Sequence, residues 1–278
     1  MKCNILITEN KKRKVKVMDK SKVIAIVNQK GGIGKTVTAL NLGYALSETG
    51  KKVLLIDFDP QSSLTVCFGY DNTDNIQTTI YNLMALSIEE KSLPKMEDYI
   101  VNIGNIDLIP CNLELSAIEI ALVNVMSRET VLRSIVDEIK VDYDYVIIDC
   151  SPSLGMLTIN ALAACDSVII PVTPQYLSAK GLELLLKSII RVKKRINPKI
   201  EVDGILFTMY AERIKLSKEV LSIIQEAYGS HIHIFESKIP TSVKVGEANM
   251  KSKSTIEYDP KNKVSVAYRE FAKEVVSL

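Results

Sequence analysis

The stretch Lys30-Gly31-Gly32-Ile33-Gly34-Lys35-Thr36 decides the fold of this 278-residue chain. It follows the apolar, β-branched run 23–27, which has the character of a buried strand, and it precedes a helical pattern over 36–49. A strand, a glycine loop and a helix in this order are the context of a phosphate-binding loop. Glycines let backbone N–H groups converge on phosphate oxygens, and the helix N-terminus attracts negative charge. We therefore predict that Lys35 reaches the β- and γ-phosphates of a nucleotide and that Thr36 offers its hydroxyl to Mg²⁺.

Short apolar segments alternate with helical patterns along the rest of the chain. The predicted strands are 23–28, 53–57, 106–109, 145–149, 167–172 and 203–208. The predicted helices are 36–49, 113–140, 154–164, 178–196, 214–228 and 265–277. Such alternation predicts an α/β fold with a doubly wound, mostly parallel sheet flanked by helices. Ligands of such sheets lie at the carboxyl ends of the strands.

Length and composition fit one large α/β domain, which we place at 23–278. Hydrophobic residues make up 47% of the chain and charged residues 24%, as in an ordinary globular protein. The sequence has no apolar run of about 18 residues, so no membrane-spanning helix is predicted, and no secretory signal is recognisable. The five cysteines show no CxxC spacing, which argues against a disulfide framework or a zinc site and fits a reducing cytosol.

The first 22 residues form a basic arm. They carry eight Lys or Arg against two acidic residues, a charge of +6, whereas the whole chain has +2. This asymmetry suggests an anionic partner for the arm 1–22. Two other interpretations stay open: a solvated, frayed terminus, and a small hairpin, since apolar residues alternate on both sides of 9–14.

Carboxylates end two of the predicted strands. Asp57 ends the predicted strand 53–57, and Asp59 follows two residues later. A period of two puts both carboxylates on one side of the chain. Asp149 closes the apolar strand 145–149, which is a Walker B pattern. Carboxylates in these places can hold Mg²⁺ through water or orient an attacking water.

The glycine loop departs from the general P-loop pattern because Gln29 stands where a glycine is expected and Lys30 follows it. This deviant loop, KGGxGK[ST], resembles that of the ParA/MinD family of P-loop ATPases. The resemblance implies that Lys30 crosses a dimer interface to the partner's nucleotide, that Lys35 is catalytic, and that Asp59 positions the hydrolytic water. The implied metal residues are Thr36, Asp57 and Asp149. The implied nucleotide-binding residues are Gly31, Gly32, Ile33, Gly34, Lys35, Thr36, Val37, Met209 and Pro240.

The resemblance extends over about 22–278. It includes D-x-D-P-Q at 57–61 and a stretch like I-P-x-x-x-[RK]-x-x-E-A at 239–248, and the chain resembles the short ParA type, also called Soj, without a helix-turn-helix domain. Departures are Ser151 for a proline, Val37 for a second threonine and Thr241 for an arginine. The resemblance implies a slow, partner-stimulated ATPase that uses ATP and Mg²⁺ for chromosome or plasmid segregation. It also implies an ATP-dependent homodimer, non-specific duplex DNA and a ParB-type protein as partners, and a cytoplasmic, nucleoid-associated location.

Cations late in the chain are candidates for the DNA surface. The candidates are Lys187, Arg191, Lys194, Arg195, Arg213 and Lys244. The first four share one face of the predicted helix 178–196. Neutralising phosphates suffices for non-specific binding. The alternative is a solvated face with cations at a helix C-terminus.

Two other functions compete with DNA partition. A MinD-type membrane-cycling ATPase needs a C-terminal amphipathic helix, and 267–276 is amphipathic but carries acid and base equally, which is typical of a packing helix. An electron-transfer or cluster-carrier relative would use Cys111 and Cys150, but the cysteine motifs of such proteins are missing. His231 and His233 show no metal-binding pattern.

Overall fold

The computed structural model describes residues 21–278, except for the side chains of 176–180. The predicted basic arm 1–22 therefore falls almost wholly outside the described residues. The strands are β1 Lys22–Ile26, β2 Val53–Phe58, β3 Val101–Ile103, β4 Ile106–Ile109, β5 Tyr145–Cys150, β6 Ser167–Val172, β7 Glu201–Tyr210 and β8 Ile234–Pro240. They form one sheet in the order β3-β4-β2-β5-β1-β6-β7-β8, in which only the β3–β4 pair is antiparallel.

Helices cover both faces of the sheet. Within the described residues they are α1 Lys35–Ser47, α2 Ser63–Val66, α3 Ile80–Ile88, α4 Leu115–Ala121, α5 Val131–Ile139, α6 Met156–Ala164, α7 Tyr176–Arg195, α8 Lys215–Tyr228, α9 Val243–Asn249, α10 Thr255–Tyr258 and α11 Lys263–Ser277. The predicted fold class, a doubly wound and mostly parallel sheet flanked by helices, is confirmed.

The core has two halves, one on each face of the sheet. Val23 and Ala25 of β1 pack with α3 to α8 on one face, whereas Ile24 and Ile26 pack with α1, α10 and α11 on the other. Successive side chains of a strand point to opposite faces, so a strand buried on both must be continuously apolar. Strand β1 lies inside the sheet, between β5 and β6. The glycine loop follows β1 and therefore lies at the carboxyl edge of the sheet.

The predicted helix 113–140 is wrong as one element. The structure has α4 and α5 there, separated by a short 3₁₀ turn and a loop in which Ser127 has φ +54°. The side chain of Asn160 holds this loop, since it donates to the carbonyl of Arg128 (2.8 Å) and accepts from the N–H of Leu132 (3.1 Å). The break is thus fixed by a residue 28 positions away from Leu132.

Strands β3 and β8 were not predicted. Both lie at the edges of the sheet, where a strand pairs with only one neighbour and some of its side chains are exposed to solvent. β8 reads Ile-Phe-Glu-Ser-Lys-Ile-Pro, and this mixed pattern lacks the apolar run that marks the inner strands. Helices α2, α9 and α10 have four to seven residues, too few for helical periodicity to emerge.

The C-terminal helix α11 packs into the core. Its side chains Val264, Tyr268, Phe271 and Val275 are buried against the half of the core that contains α1. Within residues 21–278, no helix combines the length and the apolar character that crossing a membrane requires.

Candidate functional site

The glycine loop lies between the end of β1 and the start of α1. Gly34, the N-cap of α1, has φ +85° and Gly32 has φ +68°, a left-handed conformation that side chains with a Cβ rarely adopt. The hydroxyl of Thr208 on β7 donates to the carbonyl of Ile33 at 2.7 Å and fixes the loop to the sheet. The first N–H groups of α1 therefore face the loop, an arrangement suited to an anion.

Asn28 shapes the entrance of the loop. Its side-chain amide donates to the carbonyl of Pro171 on β6 (2.8 Å), and its side-chain oxygen accepts from the N–H of Lys30 (3.1 Å). Sequence reasoning missed this residue. The available signal was a polar side chain directly after an apolar strand, in a position that proves to be buried.

The two lysines of the loop have different settings. Lys35 is buried, and its ammonium donates to the carbonyl of Lys30 at 3.1 Å. Burial lowers the pKa of Lys35, while the nearby Asp149, Cys150 and Asp59 act in the opposite direction. Lys30 is half-buried and bonds the side-chain oxygen of Gln175 in the same subunit. Lys35 thus points into the loop, and Lys30 points away from it toward the start of α7.

Parallel pairing of β2 with β5 brings two carboxylates side by side. Asp57 and Asp149 are register partners, and both are fully buried. One oxygen of Asp57 accepts from the N–H and the hydroxyl of Thr65 at 2.8 and 2.6 Å, and the other accepts from the N–H of Asp59 at 3.3 Å. Burial raises the pKa of Asp57 to about 7, against the effect of the Thr65 bonds. Thr65 was missed by sequence reasoning.

Asp149 is the exceptional carboxylate of the site. Among the described residues, neither of its side-chain oxygens has a hydrogen-bond partner. Burial raises its pKa well above the usual range, Asp57 adds to the rise, and the neighbouring Thr36 hydroxyl and Lys35 ammonium oppose it. A buried carboxylate without partners calls for an explanation, and a cation beside it supplies one.

These donors fit magnesium rather than a metal held by protein alone. Within the described residues, no group of three or more His, Cys, Asp or Glu is arranged to hold a metal ion. Magnesium takes one or two carboxylates and completes its shell with water and substrate phosphates. Asp149, the Thr36 hydroxyl and nucleotide phosphates would form such a shell, with Asp57 behind them. The four described cysteines, which are Cys67, Cys111, Cys150 and Cys165, are all buried and free.

Asp59 lies where β2 turns back over the site. It is buried, and its carboxylate accepts from the N–H of Gln61 at 3.0 Å. Ser62, with φ +54°, completes this turn and leads into α2. The turn after β5 stands beside the glycine loop, because the Cβ of Pro152 lies 4.0 Å from where a Cβ on Gly31 would be. The structure therefore gathers the loop, Asp57, Asp59 and Asp149 at one edge.

The predicted nucleotide-binding residues Met209 and Pro240 lie farther along the same edge. Met209, the penultimate residue of β7, has φ +50°, and the following Tyr210 is the register partner of Pro240 on β8. A cavity of about 1150 Å³ opens here and is lined in part by Tyr210, Pro240 and Thr241. None of the residues that line it belongs to the glycine loop 30–36.

The six predicted DNA-contacting cations fall into two separate groups. Helix α7 runs back from the end of β6 to the start of β7, so Lys194 and Arg195 lie at the amino edge of the sheet. Arg213 and Lys244 follow β7 and β8 at the carboxyl edge, and the ten residues of β7 span about 30 Å between these edges.

Their settings differ as well. Lys187, Arg191, Lys194, Arg195 and Arg213 are exposed. Lys187 is paired with Glu183. Lys244 is paired with Glu247 at 2.7 Å and lies over the Tyr258 ring.

A denser basic group surrounds the cavity at the carboxyl edge. Five cations line it against a single acid, Glu212: Arg213, Lys218, Lys238, Lys261 and Lys263. We call these five residues the basic cleft. Lys238, Lys261 and Lys263 were not singled out from the sequence, because they come from β8 and from the start of α11, which only the fold brings to Arg213.

Comparison with known proteins agrees with this geometry. The sequence model of a family described as an AAA domain matches residues 21–202. The chain is similar to the sporulation initiation inhibitor protein Soj of Bacillus subtilis (strain 168), with 39% identity over 256 residues that cover 92% of this chain and 98% of Soj. It is also similar to the chromosome partitioning protein ParA of Caulobacter vibrioides (strain NA1000 / CB15N), with 39% identity over 259 residues that cover 92% of this chain and 94% of ParA.

A solved structure is similar over the same extent. Cobyrinic acid a,c-diamide synthase from Mycobacterium smegmatis, with bound ATP analog and magnesium, matches with a TM-score of 0.79 and 32% identity. The match covers 92% of this chain and 94% of that one.

Proposed function

Since this chain belongs to the AAA-domain family and, within it, to the ParA/Soj type of partition ATPase, we propose that it hydrolyses ATP with Mg²⁺ to cycle on and off DNA during chromosome or plasmid segregation. The observation that carries the proposal is the pairing of the glycine loop with the partnerless buried carboxylate of Asp149. A nucleotide with its metal would supply an anion for the glycine loop and a cation for Asp149.

The setting of each site residue supports a proposed role for it. The N–H groups at the start of α1 and the Lys35 ammonium would bind phosphate oxygens, and the Thr36 hydroxyl and Asp149 would hold Mg²⁺, which would neutralise charge on the phosphates. Asp59 orients the attacking water from the turn after β2. Asp57, fixed by Thr65, supports that turn and the metal side of the site. Hydrolysis is slow until a partner acts.

We further propose that ATP drives formation of a homodimer. Lys30 supports this because its ammonium lies outside its own loop, half-exposed and bonded to Gln175. Turning from Gln175 to a facing subunit costs one side-chain hydrogen bond, about 1 kcal/mol. A nucleotide phosphate on that subunit offers a stronger, charge-assisted bond.

Duplex DNA is the proposed partner of the basic cleft. Five cations around one cavity neutralise phosphates without reading sequence. The cations at the end of α7 form a second, weaker contact region on the opposite edge, since four charges lie along one exposed helix face there. A dimer presents each region twice, so modest contacts add up.

Release requires a partner of the ParB type that stimulates hydrolysis, and the protein acts in the cytoplasm on the nucleoid. We assign 23–278 to one ATPase domain and the arm 1–22 to an anionic partner. The membrane-cycling alternative receives no support from α11, whose apolar side chains are committed to the core.

The test compares binding to DNA and to liposomes. Full-length protein is sedimented with plasmid DNA or with anionic liposomes, with ATP, with ADP and without nucleotide. We expect the wild-type protein to sediment with DNA when ATP is present, and not to sediment with liposomes. We expect Lys35→Ala to bind neither ATP nor DNA. Sedimentation with liposomes, or DNA binding that ignores ATP, would contradict the proposal.

A further inference from the structure

Gln29 occupies a position that the general phosphate-loop pattern gives to glycine. The N–H groups that cradle phosphates come from the residues after it, so a side chain at position 29 is not needed for that task. Gln29 is half-buried, and its side-chain amide donates to the carbonyl of Gly181 on α7 at 3.0 Å. The two residues are 152 positions apart in the chain. The Gln29 side chain therefore anchors the entrance of the glycine loop to α7.

Helix α7 has room for this bond because residue 181 is a glycine. A Cβ on Gly181 would lie 3.0 Å from the Nε2 of Gln29, which is closer than ordinary van der Waals contact. Glycine weakens the interior of a helix, and the space it leaves for the Gln29 amide gives a reason for its presence here. The residues that follow hold the helix in place, since Leu182 and Leu185 are fully buried in the core. The amide of Gln29 thus binds a fixed point of the fold.

The residues on either side of Gln29 are held at other points of β6 and α7. Asn28 donates to the carbonyl of Pro171 at 2.8 Å and accepts from the N–H of Lys30 at 3.1 Å. The Lys30 ammonium bonds the side-chain oxygen of Gln175, which is the N-cap of α7. This N-cap precedes the glycine of α7 by six residues, about 9 Å along a helix axis. The backbone before Lys30 is therefore fixed at two separate points, and its ammonium lies at the start of α7.

We propose that Gln29 is a positioning residue that sets the direction in which Lys30 leaves the glycine loop. The inference rests on the proposed function, because it concerns the lysine proposed to reach the nucleotide of a facing subunit. Without the bond to Gly181, the backbone at position 29 is less restricted, and each rotation there moves the long Lys30 side chain. A side chain that samples many directions loses more freedom when it binds a fixed phosphate, so the contact weakens. The N–H groups after Lys30 stay as they are, so ATP binding by a single subunit should not change.

The first test follows the Lys30 ammonium in nucleotide-free, full-length protein by acylation of amines and mass spectrometry. Gln29→Met keeps the length of the side chain and removes the donor, whereas Gly181→Ala crowds the same bond from α7, where alanine favours the helix. We expect acylation of Lys30 to accelerate at least threefold in each variant. Acylation of the exposed Lys95, the internal control, should stay unchanged. An unchanged rate at Lys30 in Gln29→Met, or in Gly181→Ala if the first variant does not fold, would overturn the inference.

The second test measures ATP affinity, and dimerisation with a non-hydrolysable analogue and Mg²⁺, in wild type, Gln29→Met, Lys30→Ala and the double variant. We expect Gln29→Met to bind ATP within twofold of wild type and to raise the dissociation constant of the dimer at least fivefold. Since Gln29 acts through Lys30, the double variant should match Lys30→Ala.

Two results of the second test would count against different proposals. A double variant that dimerises at least fivefold more weakly than Lys30→Ala would leave Gln29 a merely structural role and overturn the inference. A wild-type protein that binds the analogue and stays monomeric would refute the proposed homodimer, and the acylation rate of Lys30 would then decide the inference by itself.

Discussion

Removing two cations from the basic cleft should weaken DNA binding in a way that salt dependence can measure. The perturbation is Lys261→Ala combined with Lys263→Ala. Both side chains are exposed and neither takes part in an ion pair with any of the residues 21–278. The residue between them, Asn262, caps α11 by accepting from the N–H of Val264 at 3.0 Å, and it stays in place. The change therefore removes charge and leaves packing intact.

The magnitude follows from counterion release. Each phosphate contact contributes about 0.9 to the slope of log K against log salt concentration. With one contact for each lysine, the slope falls by about 1.8 for each subunit and by about 3.6 for a dimer. At 0.1 M salt each lost contact weakens binding about eightfold, so two losses in one subunit amount to roughly 60-fold.

The assay is a fluorescence anisotropy titration of duplex DNA with ATP present, at four salt concentrations. Lys95→Ala is the matched control, because Lys95 is also exposed but precedes β3, which lies at the opposite end of the sheet from β7 and β8. The control should keep the wild-type slope. A double variant that also keeps the wild-type slope would refute the assignment of DNA to the basic cleft. A loss found only when Arg191 and Lys194 are replaced would move the DNA contact to the end of α7.

Three further changes test the site. Asp59→Ala should bind ATP with nearly wild-type affinity and hydrolyse it at least a hundredfold more slowly, and normal turnover would remove Asp59 from its role. Asp57 has a pKa of about 7 in the folded protein against an ordinary 3.8, so the folded state keeps a proton that the unfolded chain releases. The unfolding free energy of the nucleotide-free protein should therefore fall between pH 4 and 7, by up to about 4 kcal/mol from this group, and chemical denaturation of Asp57→Asn should show a flatter curve. Gly34→Ala places a Cβ at φ +85°, which costs about 1–2 kcal/mol and should lower the melting temperature by about 2–6 °C, whereas Gly246→Ala, in open space on α9, should not.

Much of the fold could be read from local sequence. The inner strands β1, β2, β5 and β6 are short and mostly apolar, and the predicted strands match them within one or two residues. The glycine loop could also be read locally, because Gly32 and Gly34 adopt conformations that other residues avoid. The edge strands, the four- to seven-residue helices α2, α9 and α10, and the nine-residue helix α3 were not predicted, since none of them produces a long apolar pattern.

In the candidate site, contacts between residues far apart in the chain could not be predicted from local sequence. The sequence predicted Asp57 and Asp149 as separate strand ends, and the parallel register of β2 with β5 puts them side by side. Thr65 and Asn28 gained their roles from partners across the fold, the first through Asp57 and the second through the carbonyl of Pro171, 143 positions away.

The sequence by itself determined the fold class, the phosphate loop and the identity of the carboxylates, because backbone sterics and side-chain periodicity act over a few neighbouring residues. Only the tertiary structure decided which charges stand together. It separated Arg195 from Arg213 by the length of β7, and it collected Lys238, Lys261 and Lys263 around Arg213. The physical reason is that burial and electrostatic interaction depend on distance in space, which the pairing of strands far apart in the chain sets.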